Sequence, residues 1–269
     1  MDLGLSGAAV CVQGGTKGMG RSAAECFAAD GARVVVLARG QAGIDETAEA
    51  LRRRGSPDAW GIAVDLLAPA AVDAAFAEIG RRWGALNTVV NAAGPGASRS
   101  TFDTIDDAEW HAAYDLGALA AVRCVRAALP LLRRAAWARV VNVSAHSTKR
   151  QGERLAAYTA AKAALTSIGK NMSLVLAKDG ILVNTVSPGS FASASFKAAM
   201  RRLPAERGLD PDDLVDCMRW IAEDFGHPAH LGRAGDPAEI GPVIAFLGSR
   251  ANSYMTGANV NVDGGSDFT

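Results

Sequence analysis

Tyr158 and Lys162 are the two side chains in the sequence with the clearest capacity for proton transfer. They lie four residues apart in a helical pattern that runs from Ala156 to Ala177, so they share one face of the predicted helix. A free phenol has a pKa of about 10, but a neighbouring ammonium favours the phenolate and lowers that pKa. The pair is therefore expected to exchange a proton with a carbonyl or hydroxyl oxygen.

A second candidate site is rich in glycine and lies near the N-terminus. Residues 13–20, Gln-Gly-Gly-Thr-Lys-Gly-Met-Gly, follow a predicted strand and open a predicted helix. Glycine allows a tight turn against a pyrophosphate, and the helix N-terminus adds free N–H groups and partial positive charge. We therefore predict a nucleotide-binding turn with its glycines at positions 14, 18 and 20. The sequence offers no physical reason for Gln13, which stands where a small hydroxyl residue is common.

The end of the second predicted strand bears on which cofactor binds. A bare ribose usually meets an acidic side chain there and a 2′-phosphate meets an arginine, and this sequence has Arg39 and no acid. Lys17 can add a second cation toward the same phosphate. The pattern favours NADP(H), while NAD(H) stays possible because both side chains could equally be ordinary surface cations.

Two more strand ends carry candidate cofactor contacts. Asp65 follows the third predicted strand, where it can accept a hydrogen bond from an adenine amino group or cap the next helix. Asn91-Ala92-Ala93-Gly94 follows the fourth. Its small residues allow the backbone to lie against a ribose and nicotinamide, or simply form a tight turn.

The elements that must position these residues alternate regularly along the chain. Strands are predicted at Ala8–Val12, Arg33–Leu37, Trp60–Val64, Leu86–Asn91, Arg139–Val143, Ile181–Val186 and Asn259–Val262. Helices are predicted at Arg21–Asp30, Ile44–Arg54, Ala70–Trp83, Trp110–Leu132 (broken or ended near Pro130), Ala156–Ala177 and Pro237–Leu247. The strands are continuous apolar runs, which is typical of strands buried on both faces. We predict an α/β fold: one Rossmann domain over residues 1–269, with a doubly wound parallel sheet flanked by helices and a substrate-lid insertion at about 190–235.

Composition excludes several other classes of protein. Of the 269 residues 49% are apolar, enough for a large core, and Lys+Arg and Asp+Glu both number 28. A balanced charge argues against a nucleic-acid or membrane-surface partner. The four cysteines form no CxxC pair and no metal spacing, so we expect reduced cysteines and no metal site. With no signal-peptide pattern and no apolar run long enough to span a bilayer, a cytoplasmic protein is expected.

These motifs together make the chain resemble the short-chain dehydrogenase/reductase family over nearly its whole length. The resemblance is carried by the Gly14–Gly20 turn, Asp65, Asn91–Gly94, Tyr158–Lys162, Asn184–Gly189 and Val262–Gly265. It implies that the segment after Pro188-Gly189 flanks the nicotinamide amide, and that the helices containing Trp110 and Ala156 form a four-helix contact in a homotetramer. The predicted cofactor contacts are Gly14, Thr16, Lys17, Gly18, Met19, Gly20, Arg39, Asp65, Leu66, Asn91, Ala92, Ala93, Gly94, Tyr158, Lys162, Pro188, Gly189, Phe191 and Ser193.

The chain departs from the family pattern at two catalytic positions. The family places an Asn in the long helix, and the matching position here is Gly117. The family also places a serine thirteen residues before the tyrosine, where this chain has Ala145. Ser144 is our first candidate for the missing hydroxyl. Ser147 is the alternative, because neighbouring residues of a strand point to opposite faces and Ser147 lies two residues beyond Ala145. His146 is interpreted as a surface loop residue.

The sequence therefore predicts an NADP(H)-dependent oxidoreductase that interconverts a ketone and a secondary alcohol. Candidate small-molecule substrates are a 3-oxoacyl thioester, a hydroxysteroid or a polyketide-type ketone. The length of the predicted lid favours a substrate larger than a simple sugar or polyol. The alternative is a degenerate family member that binds nucleotide as a sensor or scaffold with little turnover, which the two departures motivate.

Overall fold

The computed structural model describes residues 2–96, 100–226 and 228–266. Its strands are β1 (Ala9–Gln13), β2 (Arg33–Ala38), β3 (Ala59–Ala63), β4 (Thr88–Asn91), β5 (Ala138–Val143), β6 (Ile181–Pro188) and β7 (Asn259–Val262). All pair in parallel, in the order β3-β2-β1-β4-β5-β6-β7. The predicted doubly wound sheet is confirmed. Its strand order reverses between β1 and β4, where α/β sheets open a ligand-binding crevice.

Helices cover both faces of the sheet. They are α1 (Gly18–Ala29), α2 (Gln41–Arg53), α3 (Pro69–Trp83), α4 (Asp107–Tyr114), α5 (Ala120–Leu132), α6 (Ala156–Leu176), α7 (Ala194–Met200), α8 (Leu214–Phe225) and α9 (Pro237–Leu247). One buried cluster joins Val10 and Val12 of β1 to Phe27 of α1 and Ile244 of α9. A second cluster on the opposite face packs against α3 and α5. Side chains on alternating positions of each strand enter different clusters, which is why the strands read as unbroken apolar runs.

The long helix predicted from Trp110 to Leu132 is divided in the structure. A π-helical segment, Asp115–Leu119, separates α4 from α5. Pro130 lies inside the last turn of α5, which continues to Leu132. A π-helical turn adds a residue to the helical repeat and often marks a functional position. Here the segment faces α6, the helix that carries Tyr158 and Lys162.

The segment between β6 and α9, predicted as a lid, has its own small core. Met200 of α7 packs with Cys217, Met218 and Trp220 of α8. The ring centroids of Phe196 and Trp220 are 4.9 Å apart in an edge-on contact. The segment's large apolar side chains therefore pack mainly against one another.

The described residues form neither a membrane-spanning helix nor a recognisable metal cluster. No helix among them is long and apolar enough to cross a membrane. Within the same residues, no group of three or more His, Cys, Asp or Glu side chains is arranged to hold a metal ion.

Candidate active site

A cleft of about 700 Å³ opens at the carboxyl edge of the sheet, where the strand order reverses. It brings together most of the residues predicted from the sequence. Those that line it are Gly14, Thr16, Lys17, Gly18, Met19, Gly20, Arg39, Asp65, Leu66, Ala92, Ala93, Gly94, Ser144, Tyr158, Lys162 and Ser193. A volume of this size is in the range of small-molecule and cofactor sites. The glycine turn and the tyrosine–lysine pair, about 140 residues apart in the chain, thus share one cavity.

The glycines of the turn let its backbone pack closely on the residues after β4 and leave the start of α1 uncapped. Gly14 has a φ of 68°, and a Cβ there would lie 2.9 Å from the amide nitrogen of Ala93. Gly18 also has a positive φ, of 55°. Helix α1 begins at Gly18 and no side chain caps its first N–H groups. These donors and the helix dipole suit a diphosphate, so the residues present fit a dinucleotide.

Two cations stand at the adenosine end of the cleft. Lys17 and Arg39 are both exposed, and neither has a carboxylate within ion-pair distance among the described residues. Asp65, at the same end, is exposed, and its Oδ1 accepts a hydrogen bond from the backbone N–H of Leu67 at 3.0 Å. Asp65 therefore does organise the turn before α3, and this leaves its other carboxylate oxygen for a ligand. Unpaired cations at this position suit a phosphate rather than a bare ribose.

Tyr158 and Lys162 lie one turn apart on α6 and face the cleft together. Lys162 is 4% exposed, and its Nζ donates a hydrogen bond of 2.7 Å to the carbonyl oxygen of Val143. Burial lowers the pKa of Lys162 to about 8 and raises the pKa of Tyr158 to about 12. The sequence-based expectation that the pKa of this phenol is lowered is therefore wrong. Loss of water penalises both charged forms more than the ammonium stabilises the phenolate.

The hydroxyl candidates near Ala145 are mostly engaged elsewhere. Ser144 Oγ donates to the carbonyl oxygen of Lys162 at 2.9 Å and lies 2.8 Å from Thr166 Oγ1. Ser147 is buried, lies outside the cleft lining, and its Oγ accepts from Thr159 Oγ1 at 3.3 Å. Ser144 thus lines the cleft without presenting its proton to it.

His146 is not the surface residue that the sequence suggested. It is 7% exposed, and its Nδ1 lies 3.1 Å from the carbonyl oxygen of Pro188. A carbonyl oxygen only accepts, so this bond places a proton on Nδ1. The surface interpretation failed because the turn after β5 is covered by the end of β6, a contact between segments about 40 residues apart.

Gly117 lies within the π-helical segment, and its lack of a side chain has a packing reason. A Cβ at this position would lie 2.7 Å from Cβ of Ala161, between Tyr158 and Lys162 on α6. It would also lie 3.3 Å from Cδ of Pro95. The asparagine that the family carries here would not fit without a shift of α6 or of the π-helical segment.

Four predicted cofactor contacts lie outside the cleft lining. Asn91 is buried beneath the cleft, and Gly189 packs closely on Asp263, where a Cβ would lie 2.7 Å from Cα of Asp263. Phe191 faces Gly235 and lines a separate pocket of about 110 Å³. Pro188 lies at the end of β6 and contributes the carbonyl bound by His146.

Gln13 has a structural role that the sequence did not reveal. It is 1% exposed, and its Nε2 donates to Oδ1 of Asn91 on the neighbouring strand. Asn91 Nδ2 in turn donates to Oδ1 of Asn142 at 2.6 Å. The three residues are paired in register across β1, β4 and β5. A row of buried amides therefore ties together the central strands directly below the cleft, and a short hydroxyl side chain at position 13 would not reach this partner.

Several cleft residues were missed by sequence reasoning. They include Leu37, Ala38, Gly40, Gly43, Val64, Leu67, Pro95, Gly96, Leu116, Ala194 and Ser195. Many directly follow or precede a predicted contact at a strand end, so widening each motif by one or two residues finds them. Leu116 and Gly43 carry no such signal, because their positions depend on how helices pack.

The fold and this site define a Rossmann-type oxidoreductase that uses a nicotinamide nucleotide. The family model described as enoyl-(acyl carrier protein) reductase matches residues 14–267. The chain is 31% identical to a rhamnolipid biosynthesis 3-oxoacyl-[acyl-carrier-protein] reductase of Pseudomonas aeruginosa, covering 97% of this chain and 96% of that protein. It is 29% identical to the short-chain reductase NovJ of Streptomyces niveus, covering 94% and 92%.

A solved structure is similar over the whole length. L-sorbose reductase from Gluconobacter frateurii, complexed with NADPH and L-sorbose, matches with a TM-score of 0.92 and 28% identity, covering 100% of both chains. The chain belongs to the short-chain dehydrogenase/reductase family, and it is an enzyme of the kind that acts on CH–OH groups.

Proposed function

We propose that this protein is an NADP(H)-dependent oxidoreductase that interconverts a ketone and a secondary alcohol. The observation that carries the proposal is the single cleft that holds the glycine turn at one end and Tyr158 with Lys162 at the other. The preference for NADP(H) is supported by Arg39 and Lys17, two exposed cations without a carboxylate partner in the described part of the chain. The structural relative complexed with NADPH gives further support.

The chain's own residues supply binding and proton transfer. The glycine turn and the start of α1 would hold the diphosphate, Arg39 and Lys17 would hold the 2′-phosphate, and Lys162 would face the nicotinamide ribose. A bound nicotinamide supplies or accepts the hydride. Tyr158 gives its hydroxyl proton to the ketone oxygen during reduction, or takes the alcohol proton during oxidation. With its pKa raised to about 12, Tyr158 is protonated at neutral pH and ready to act as the acid.

The test is NADPH oxidation across a panel of ketones, including a 3-oxoacyl thioester, a steroid ketone and small hydroxylated ketones. We expect turnover with at least one ketone, and Tyr158→Phe should lower kcat by about two or more orders of magnitude while the Kd for NADPH is unchanged. Near-wild-type turnover by that variant would refute the role of Tyr158.

A second candidate function is nucleotide binding with little turnover, as in a sensor or scaffold. It is favoured by Gly117, Ala145 and the engaged proton of Ser144. The two functions differ in one measurement: tight NADPH binding with no turnover on any ketone or alcohol of the panel would establish the second.

We further propose a homotetramer built through α4, α5 and α6, the assembly that the family resemblance implies. Its support is exposed apolar surface: Leu174 and Val175 at the end of α6 are 69% and 53% exposed, and Tyr114 at the end of α4 is 44% exposed. Analytical ultracentrifugation of the wild type and of Leu174→Glu measures the assembly. A wild type that sediments as a monomer would contradict it.

A further inference from the structure

The end of the cleft near Tyr158 has a shortage of proton donors. In the family the second donor to the substrate oxygen is a serine, and this chain has Ala145 there. Ser144 has a single hydroxyl proton, which it donates to the Lys162 carbonyl oxygen. Thr148 donates its own to the carbonyl oxygen of Ala145 at 2.9 Å. Ser147, the remaining hydroxyl in the described turn after β5, accepts from Thr159 and lies outside the cleft lining.

This shortage sets a requirement for the substrate. Removing one donor from an oxyanion site lowers kcat by about 10²–10³-fold, so Tyr158 alone would reduce an ordinary ketone slowly. A hydroxyl on the carbon next to the carbonyl compensates in two ways. Its oxygen withdraws electrons from the carbonyl carbon, and its proton can be donated to the carbonyl oxygen as charge develops there.

The lid segment favours a small substrate. Its large side chains, including Phe196, Met200 and Trp220, belong to the segment's own core. The part that lines the cleft is Ser193, Ala194 and Ser195, and Ser193 lies beside the glycine turn, since a Cβ on Gly18 would be 3.6 Å from Cβ of Ser193. None of the large apolar side chains in the described part of the lid segment lines the cleft, which fits a small substrate better than a steroid. The extra length of the segment builds a core, which argues against the bulky substrate that the sequence suggested.

We propose that the substrates are small α-hydroxyketones and the corresponding vicinal diols, and that the substrate's own hydroxyl replaces the donor absent at Ala145. The proposal rests on the oxidoreductase function proposed above. Reduction adds one hydride from NADPH to the carbonyl carbon and one proton from Tyr158 Oη to the carbonyl oxygen, which yields the vicinal diol and NADP⁺. Tyr158 then regains its proton from solvent.

The experiment compares hydroxyacetone with methoxyacetone and acetone. Methoxyacetone keeps the electron-withdrawing oxygen but has no proton to donate. We expect kcat/KM for hydroxyacetone to exceed that for either other ketone by roughly 10-fold or more in the wild type, as one oxyanion donor is worth up to about 10²–10³-fold. Equal values for hydroxyacetone and methoxyacetone would overturn the proposal.

Ala145→Ser tests the same idea from the side of the protein. A serine there supplies the donor, so the advantage of hydroxyacetone should shrink by about 10-fold, mainly because the other ketones become faster. Ala145→Cys is the matched control, since a thiol of similar shape is only a weak donor and should leave the advantage in place. The Ala145→Ser variant must have the thermal stability of the wild type. If hydroxyacetone then keeps its full advantage in kcat/KM over the other ketones, the hydroxyl of the substrate does not replace the donor absent at Ala145.

A binding measurement separates failure of this inference from failure of the proposed function. Calorimetry on the enzyme–NADP⁺ complex, where no ketone is reduced, should show similar Kd values for hydroxyacetone and methoxyacetone, because the hydroxyl of the substrate donates only as charge develops in the transition state. If the simple ketones bind and react as well as hydroxyacetone does, the substrate class is wrong and the oxidoreductase function stands. If NADPH binds but no ketone is reduced, the proposed function itself is refuted.

Discussion

The burial of the Lys162 amine leads to a prediction that can be tested without a substrate. Burial lowers its pKa from 10.5 to about 8, and the side chain is 4% exposed. The unfolded chain therefore binds a proton at this amine more strongly than the folded chain does. The contribution of this amine to stability must then rise with pH, beginning near the folded pKa of about 8 and ending near the unfolded value of 10.5.

The size of the effect follows from the two pKa values. Each unit of difference corresponds to about 1.4 kcal/mol, so the buried amine costs roughly 3 kcal/mol at about pH 7. Between about pH 7 and pH 9.5 roughly 2 kcal/mol of this cost should disappear. In Lys162→Met the titrating group is gone, so this pH dependence should vanish. The variant should also be more stable than the wild type near pH 7, less the contribution of the lost hydrogen bond to Val143.

Urea unfolding of the cofactor-free protein, followed by tryptophan fluorescence at several pH values, measures this difference. Lys170→Met is the matched control, because Lys170 lies two turns further along the same helix and is exposed. The control should keep the pH dependence of the wild type. If the unfolding free energies of Lys162→Met and the wild type change in parallel between about pH 7 and pH 9.5, Lys162 is not a desolvated amine and the description of the site is wrong.

Three further substitutions test other parts of the cleft. Arg39→Ala should weaken NADPH binding by about 10- to 100-fold with little change in NADH binding. Arg81 is an exposed arginine on α3, so the control Arg81→Ala should change the binding of neither nucleotide. Equal losses for both nucleotides in Arg39→Ala would refute the 2′-phosphate contact. Gly117→Asn should destabilise the protein by about 1–3 kcal/mol in urea unfolding without raising kcat, since its Cβ would press on Ala161, and a stable, faster variant would contradict this packing argument. Gln13→Leu leaves buried amide groups of the central strands without a partner and should cost about 1–3 kcal/mol of unfolding free energy; an unchanged urea midpoint would show that the amide row does not stabilise the sheet.

Much of the fold could be read from local patterns. The alternation of apolar runs and helical periodicity predicts the strand and helix order, because burial on both faces leaves a direct mark on each strand. The glycine turn is also a local signal, since its dihedral angles restrict which residues can occupy it. Helix boundaries were less exact: the pattern from Trp110 to Leu132 gave no sign of the π-helical segment 115–119, which lies against α6.

Most of the residues that line the cleft could be predicted from the sequence, but their hydrogen bonds and pKa values could not. The sequence places Ser144 next to Ala145, the position at which the family has a serine. Only the packing of β5 against α6 shows that the Ser144 hydroxyl donates to the carbonyl oxygen of Lys162. The aromatic residues of the lid could equally have faced a substrate or one another. Their contacts, such as Phe196 with Trp220, settle that they form a core.

By itself the sequence determined the sheet, the glycine turn and the spacing of Tyr158 and Lys162, because these depend on residues close together in the chain. Only the tertiary structure decided the pKa directions of that pair, the fit at Gly117 and the partner of Gln13. Each of these depends on how much water is excluded and which atoms approach from distant segments, and no local pattern encodes that.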